Sequence, residues 1–243
     1  MRTCVVFSGA GLSAESGIPT FRDSNGLWEN HKVEDVACPD GWQKDPALVL
    51  NFYRMRFEAI KACEPNEAHK SIARLQDKFN VINITQNIDD LLKRAGCTDV
   101  RHLHGVINQK KCEHHKSITV LDGDINFKCD YRAEQTTPVE LGEFCVKCGG
   151  QMRPDVVWFE EAVDLKYDII ADLVREVKYN DGVFICVGTS AQVQPAALLI
   201  PFFAQVKNKF IVDRKPHRIA DYVLMAGNAT EQMRLLVDKL LED

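Results

Sequence analysis

The sequence predicts an α/β fold: a Rossmann-like parallel sheet with helices on both faces, plus a helical insert and a small zinc-binding module. Three observations predict it. Short apolar runs alternate with stretches of helical spacing, two regions interrupt that alternation, and one of these concentrates cysteine.

Residues 3–7 (TCVVF) form an apolar, β-rich run that stops at Ser8-Gly9-Ala10-Gly11, as a buried strand bounded by glycine does. Residues 13–16 are expected to open a helix behind it. Further strands are expected at 80–85 (NVINIT), 182–187 (GVFICV) and 209–213 (KFIVD). Helices are expected at 46–62, 66–78, 89–95, 165–178 and 196–207. Residues 230–241 place Met233, Leu236, Val237, Leu240 and Leu241 at helical spacing, the stripe of a helix packed on a core. Strands that alternate with helices form parallel sheets covered on both faces. Residues 25–68 break the pattern with an aromatic helical stretch, and 111–154 break it with four cysteines and paired histidines. Residues 1–243 are therefore expected to be a single domain with these two segments set into it.

The chain has 243 residues, 45% hydrophobic and 27% charged, with a net charge of −5. This is ordinary globular composition, and it lacks the basic balance of a nucleic-acid binder. No apolar run approaches the roughly 18 residues that span a bilayer. Hence neither a nucleic-acid nor a membrane partner is expected, a monomer is the expected state, and the expected location is cytoplasmic. In a reducing compartment the nine cysteines suit metal binding better than disulfides. Cys4, Cys38, Cys63, Cys97 and Cys186 are scattered and read as small core side chains.

Gly9, Ala10, Gly11 and Ser13 lie between a strand and an expected helix start, a place where backbone can approach a pyrophosphate. The loop lacks the third glycine of the dehydrogenase fingerprint, which argues against hydride transfer. The longer run GAGLSAESGIPTFRDSNGLW closely resembles the first signature of the sirtuin family of NAD-dependent protein deacylases. Four more segments match that family in order: Thr85-Gln86-Asn87-Ile88-Asp89; Leu103-His104-Gly105; Val157-Trp158-Phe159 with Glu161; and Gly188-Thr189-Ser190 with Pro195-Ala196-Ala197.

The resemblance implies NAD as a consumed co-substrate. Gly9 to Ser13 would hold its phosphates, and the segment from Ala14 to Arg22 would close over the nicotinamide ribose, with Phe21 shielding the reactive carbon and Arg22 near the phosphates. Gln86 would contact the ribose, while Asn87 and Asp89 would form the nicotinamide pocket; on residue chemistry alone, Asn-Ile-Asp also fits a helix cap. Gly188, Thr189, Ser190, Asp213 and Ala229 would complete the cofactor site. His104 would be the catalytic base, activating a ribose hydroxyl after the acyl oxygen has displaced nicotinamide; its neighbour His102 is the lesser candidate. The substrate would be acylated lysine in proteins or peptides, lying against Val157 and Phe159.

Cys145-Val-Lys-Cys148 is half of a zinc site. The family places another pair before it, and here the candidates are Cys112 and Cys129, separated by an insertion. One structural zinc on Cys112, Cys129, Cys145 and Cys148 is expected, with His115 as the alternative to Cys129.

Tyr53 and Arg56 share one helix face and together suit a carboxylate. This Tyr-x-x-Arg pair, with Ala14, resembles the class III desuccinylase/deacetylase members of bacteria, which implies removal of succinyl and malonyl groups as well as acetyl. Two departures from the family pattern stand out: Glu160 replaces a glycine beside the substrate strand, and Asp213 replaces an asparagine. Two other readings compete: an NAD hydrolase or ADP-ribosyltransferase, and a silent NAD-sensing or peptide-binding module.

Overall fold

The computed structural model describes residues 1–243 apart from 21–26, 29–30, 115–128, 164, 192, 217–218, 220 and 243, so Phe21, Arg22 and His115 lie outside the described residues. In chain order the strands are β1 (Arg2–Ser8), β2 (Leu27–Trp28), β3 (His31–Lys32), β4 (Phe79–Thr85), β5 (Asp99–His102), β6 (Gly105–Cys112), β7 (Arg132–Glu134), β8 (Met152–Val156), β9 (Val183–Val187), β10 (Asn208–Asp213) and β11 (Val223–Ala226). The helices are α1 (Val33–Val36), α2 (Pro39–Lys44), α3 (Pro46–Ala62), α4 (Glu67–Arg74), α5 (Leu91–Arg94), α6 (Tyr167–Tyr179), α7 (Leu199–Phe202) and α8 (Ala229–Glu242).

Six strands form one parallel sheet in the order β11-β10-β9-β1-β4-β5. Counted along the chain within that sheet, this is the doubly wound order 3-2-1-4-5-6, whose winding reverses between β1 and β9. Alternate residues of β1 feed opposite layers. Cys4 and Val6 pack with Ile72 of α4 and Met233 of α8, whereas Val5 and Phe7 pack with Val177 of α6 and Leu199 of α7. Both faces of the sheet are thus covered.

The four expected strands are present, and β5 and β11 join them at the two edges. Their exposure explains why no apolar run announces them: Val223 and Leu224 face solvent, and β5 carries the Asp99–Arg101 pair. Two helix expectations need correction. Residues 13–16 open no helix; the segment after β1 is two short 3-10 turns, Ala10–Leu12 and Ala14–Ser16. Residues 196–207 are broken into α7 flanked by 3-10 turns, with Pro201 inside it unable to donate a backbone hydrogen bond.

A second layer rests on the first. In α3, the Asp45 side chain accepts from the Leu48 N–H at 2.9 Å and Pro46 occupies the first turn, a well-formed helix start. Its buried face presents Val49, Phe52, Tyr53, Arg56, Phe57 and Ile60. These meet the antiparallel sheet β7-β6-β8, which pairs Cys112 with Met152 and Lys111 with Arg153.

Candidate active site

The loops that leave β1 and β9 meet at the reversal point of the sheet. There Gly11 donates its N–H to the Gly188 carbonyl at 2.8 Å, and Gly9 donates to Val187 at 3.0 Å. A Cβ on Gly11 would lie 2.7 Å from the Gly188 Cα, and Gly188 itself has φ +63. These glycines therefore let two loops interlock, a requirement the loop sequence did not reveal beside the expected approach to a phosphate.

Beyond this junction lies one cavity of about 670 Å³. Apart from the lesser candidate His102, its walls include every described residue proposed from sequence as a cofactor, catalytic or acyl-group contact: Gly9, Ala10, Gly11, Ser13, Ala14, Tyr53, Arg56, Gln86, Asn87, Asp89, His104, Val157, Phe159, Gly188, Thr189, Ser190, Asp213 and Ala229. They come from the ends of β1, β4, β9 and β10, from α3, from the turn between β5 and β6 (His104), from the loop after β8, and from the start of α8 (Ala229). His102 is not among them; its Nδ1 lies 2.9 Å from the Asn87 carbonyl.

His104 Nδ1 lies 3.0 Å from the Gln86 carbonyl oxygen. A carbonyl can only accept, so Nδ1 carries the proton and Nε2 holds the lone pair. Burial pushes the His104 pKa down, with the Gln86 carbonyl pulling it partly back. The ring is thus held as a neutral base.

Ser13 organises the opposite wall. Its hydroxyl donates to Asp89 Oδ2 at 2.9 Å and accepts from Asn87 Nδ2 at 3.1 Å. His69 Nε2 stands 3.3 Å from the same oxygen, while His69 Nδ1 accepts the Asn66 N–H. The remaining Asp89 oxygen accepts from the Leu91 N–H, so this carboxylate also serves as the local cap considered from sequence. Nothing in the motif reading singled out His69. The signal available was its place three residues after the N-cap Asn66 of α4, where it closes a capping box.

In the acyl wall, Tyr53 is 1% and Arg56 5% exposed, so the arginine is no solvated surface residue. Arg153, also missed from sequence, lies with its guanidinium 3.6 Å above the Trp158 ring and pairs with Glu161. Glu161 in turn accepts the Trp158 N–H at 2.9 Å. Lys111 and Asp155 complete this buried charge cluster, 3.4 Å apart. The Val157 and Phe159 N–H groups donate to His104 and Ala37 carbonyls, so the segment beyond β8 is tied on both sides. Glu160 is exposed and adopts φ +71.

Below β6 and β8, the sulfurs of Cys112, Cys129, Cys145 and Cys148 all lie within 4.8 Å of one another. The Cys112–Cys148 separation is 3.3 Å and the Cys129–Cys145 separation 3.6 Å. Tetrahedral zinc with bonds of about 2.3 Å needs sulfur–sulfur edges of about 3.8 Å, so the four thiols fit a closed structural zinc site. The alternative ligand His115 lies outside the described residues; His114 Nδ1 approaches Cys148 at 3.7 Å. Of the other cysteines, Cys4, Cys38, Cys97 and Cys186 are buried and Cys63 is partly so.

A family model described as the Sir2 family matches residues 9–195. The chain belongs to the Sir2 family. Its similarity to Sir2 relatives runs well beyond those residues. It is 40% identical to an NAD-dependent protein deacylase of Bacteroides thetaiotaomicron, over 89% of this chain and 87% of that one. A protein of the same name from Helicobacter pylori is 39% identical over 100% of this chain and 99% of its own. A crystal structure of a Sir2 homolog–NAD complex superposes with TM-score 0.79 at 37% identity, covering 99% of this chain and 90% of that one. Against the Sir2 pattern noted from sequence, the left-handed backbone at Glu160 explains why glycine is usual there: glycine adopts that conformation without a Cβ penalty. No helix among the described residues is long and apolar enough to cross a membrane.

Proposed function

We propose that this protein removes acyl groups from lysine side chains in proteins or peptides, consuming NAD and releasing nicotinamide and acyl-ADP-ribose, and that it accepts succinyl and malonyl groups as well as acetyl. The carrying observation is that one cavity joins the β1/β9 reversal point, where doubly wound sheets hold dinucleotides, to His104 and then to the Tyr53–Arg56 pair. The solved Sir2–NAD complex and the deacylase relatives support the same reading.

In this reading the glycine junction takes the pyrophosphate, and the Asp213 carboxylate, buried at the end of β10, accepts from the adenosine ribose. Gln86, Ser190 and Thr189 line the ribose side, and Asn87 and Asp89, braced by Ser13, receive the carboxamide. By the family resemblance, Phe21 shields the reactive carbon and Arg22 serves the phosphates. His104 Nε2 takes a proton from a ribose hydroxyl, which then attacks the acyl-bearing carbon. The acylated lysine enters past Val157 and Phe159, and Arg56 and Tyr53 meet a distal carboxylate by charge-assisted hydrogen bonds. Residues 1–243 act as one catalytic domain and as a monomer in the cytoplasm, with 25–68 and 111–154 as its inserts and no nucleic acid or membrane in the reaction.

The test is incubation with NAD and matched acetyl- and succinyl-lysine peptides, following acyl-ADP-ribose. Turnover of both is expected, and Arg56→Met should depress succinyl turnover about tenfold or more relative to acetyl, the scale of a charged hydrogen bond. NAD consumption without peptide turnover would mean a hydrolase, and equal losses on both peptides would remove Arg56 from acyl selection.

A further inference from the structure

One buried arginine outside the cavity braces the wall that the acylated lysine passes. Arg153, in β8, is 2% exposed and is not among the cavity-lining residues. Its guanidinium makes three kinds of contact with the segment that follows it. Nη1 donates to the Val156 carbonyl at 3.1 Å, Nη2 donates to the Glu161 carboxylate, and the guanidinium carbon lies 3.6 Å from the centre of the Trp158 ring. One side chain thus grips the start, middle and end of 156–161, and every residue of that segment lines the cavity.

The wall needs such a brace because it is not regular strand. β8 ends at Val156, and Glu160 beyond it is left-handed. The Val157 and Phe159 N–H groups are tied to the His104 and Ala37 carbonyls, and Glu161 accepts the Trp158 N–H at 2.9 Å. Those bonds fix the backbone. The Trp158 ring is held by Arg153 and by Trp42, 5.5 Å away between centroids. The site also suits arginine in particular. Arg153 and Lys111 are partners across β8 and β6, and with Glu161 and Asp155 they set two buried cations against two buried carboxylates. A buried charge is tolerated only when it is paired. A guanidinium can stack on a ring and pair with a carboxylate at once, whereas a lysine ammonium is a point charge without the planar fork.

We propose that Arg153 is a positioning residue for the acyl-lysine substrate: by covering Trp158 and bridging Val156 to Glu161, it presets the 156–161 wall so that the peptide binds without first ordering it. This rests on the deacylase reading above, and it holds whichever acyl group is removed. A wall that is already ordered lowers the cost of peptide binding, an effect that appears in KM rather than in kcat. The dinucleotide end of the cavity is built from the interlocked loops after β1 and β9, which Arg153 does not touch.

Arg153→Lys tests this while keeping a cation beside Glu161, so that no buried carboxylate is left unpaired. It should raise KM for acetyl- and succinyl-lysine peptides alike, roughly tenfold, with kcat within about threefold, the scale of one desolvated cation–ring contact. The calorimetric Kd for NAD should stay at the wild-type value. A fall in kcat with KM unchanged, or an NAD Kd that moves together with KM, would show a general structural role and overturn the proposal. Arg132→Met is the control, because it breaks the Arg132–Asp155 pair of the same charge cluster without touching Trp158. It should lower stability and leave peptide KM alone; a KM rise matching that of Arg153→Lys overturns the proposal. Amide hydrogen exchange, measured without NAD or peptide, gives a readout independent of activity. Arg153→Lys should speed exchange across 156–161 and leave 3–13 at the wild-type rate, and unchanged exchange across 156–161 overturns the assignment. If the wild-type protein turns over neither peptide, the deacylase reading fails and the substrate role of Arg153 falls with it. If the wild type is active but the KM or exchange result fails, the Arg153 assignment alone fails.

Discussion

The imidazole of His104 is oriented by the Gln86 carbonyl oxygen, 3.0 Å from Nδ1, and both residues line the same cavity. One backbone group thereby sets the tautomer of the proposed base. Because burial lowers the His104 pKa, the neutral form persists below the ordinary histidine value of about 6.5. The acid limb of kcat/KM, which reports the free enzyme, should therefore fall below pH 6.5. His104→Ala should cost on the order of 10²–10⁴ in turnover, the usual contribution of a general base. An acid limb centred above pH 7 would show that another group titrates.

His69 is fully buried, and burial pushes its pKa down to about 4. The unfolded side chain titrates near 6.5, so folding favours the neutral ring. The associated stability is fully present above about pH 6.5 and is lost as pH falls through about 4. The loss is roughly 3 kcal/mol by proton linkage. Urea unfolding at pH 7 and pH 4.5 should show a steeper decline for the wild-type protein than for His69→Gln. Parallel declines would place the acid sensitivity elsewhere.

Removal of the metal is expected to unfold the β6–β8 module before the main sheet, because one ion would hold together four sulfurs that come from separate segments of that module. The purified protein should contain one zinc per chain. Cys129→Ala should lose it, and His115→Ala should keep it. The reverse pattern in metal analysis would replace Cys129 by His115 as the fourth ligand.

Glu160 holds a left-handed backbone, φ +71, that costs a residue with a Cβ about 1–2 kcal/mol. Glycine relieves this but adds unfolded-state entropy of about 0.5–1 kcal/mol. Glu160→Gly should therefore leave stability unchanged or raise it by about 1 kcal/mol in chemical denaturation. A clear loss would show that the Glu160 side chain makes a stabilising contact.

Much of the fold was legible because buried parallel strands are apolar and bounded by glycine, as at 3–7 and 182–187. The edge strands β5 and β11 were not, because exposed residues there carry no such run. The segment after β1 reads as a helix start because serine is a good N-cap, but the Ser13 hydroxyl bonds Asp89 and Asn87 instead of capping a helix.

The sequence by itself determined the sheet class, the motif residues of the cavity and four cysteines able to meet. The sheet class is written in local residue type and spacing; the cavity residues and the cysteine set came from the family resemblance. Only tertiary structure decided which side chains meet. His69 reaches Ser13, Arg153 covers Trp158, and Gln86 turns His104, through contacts between segments distant in the chain. Periodicity reports which face is buried; it carries no information on what that face will meet.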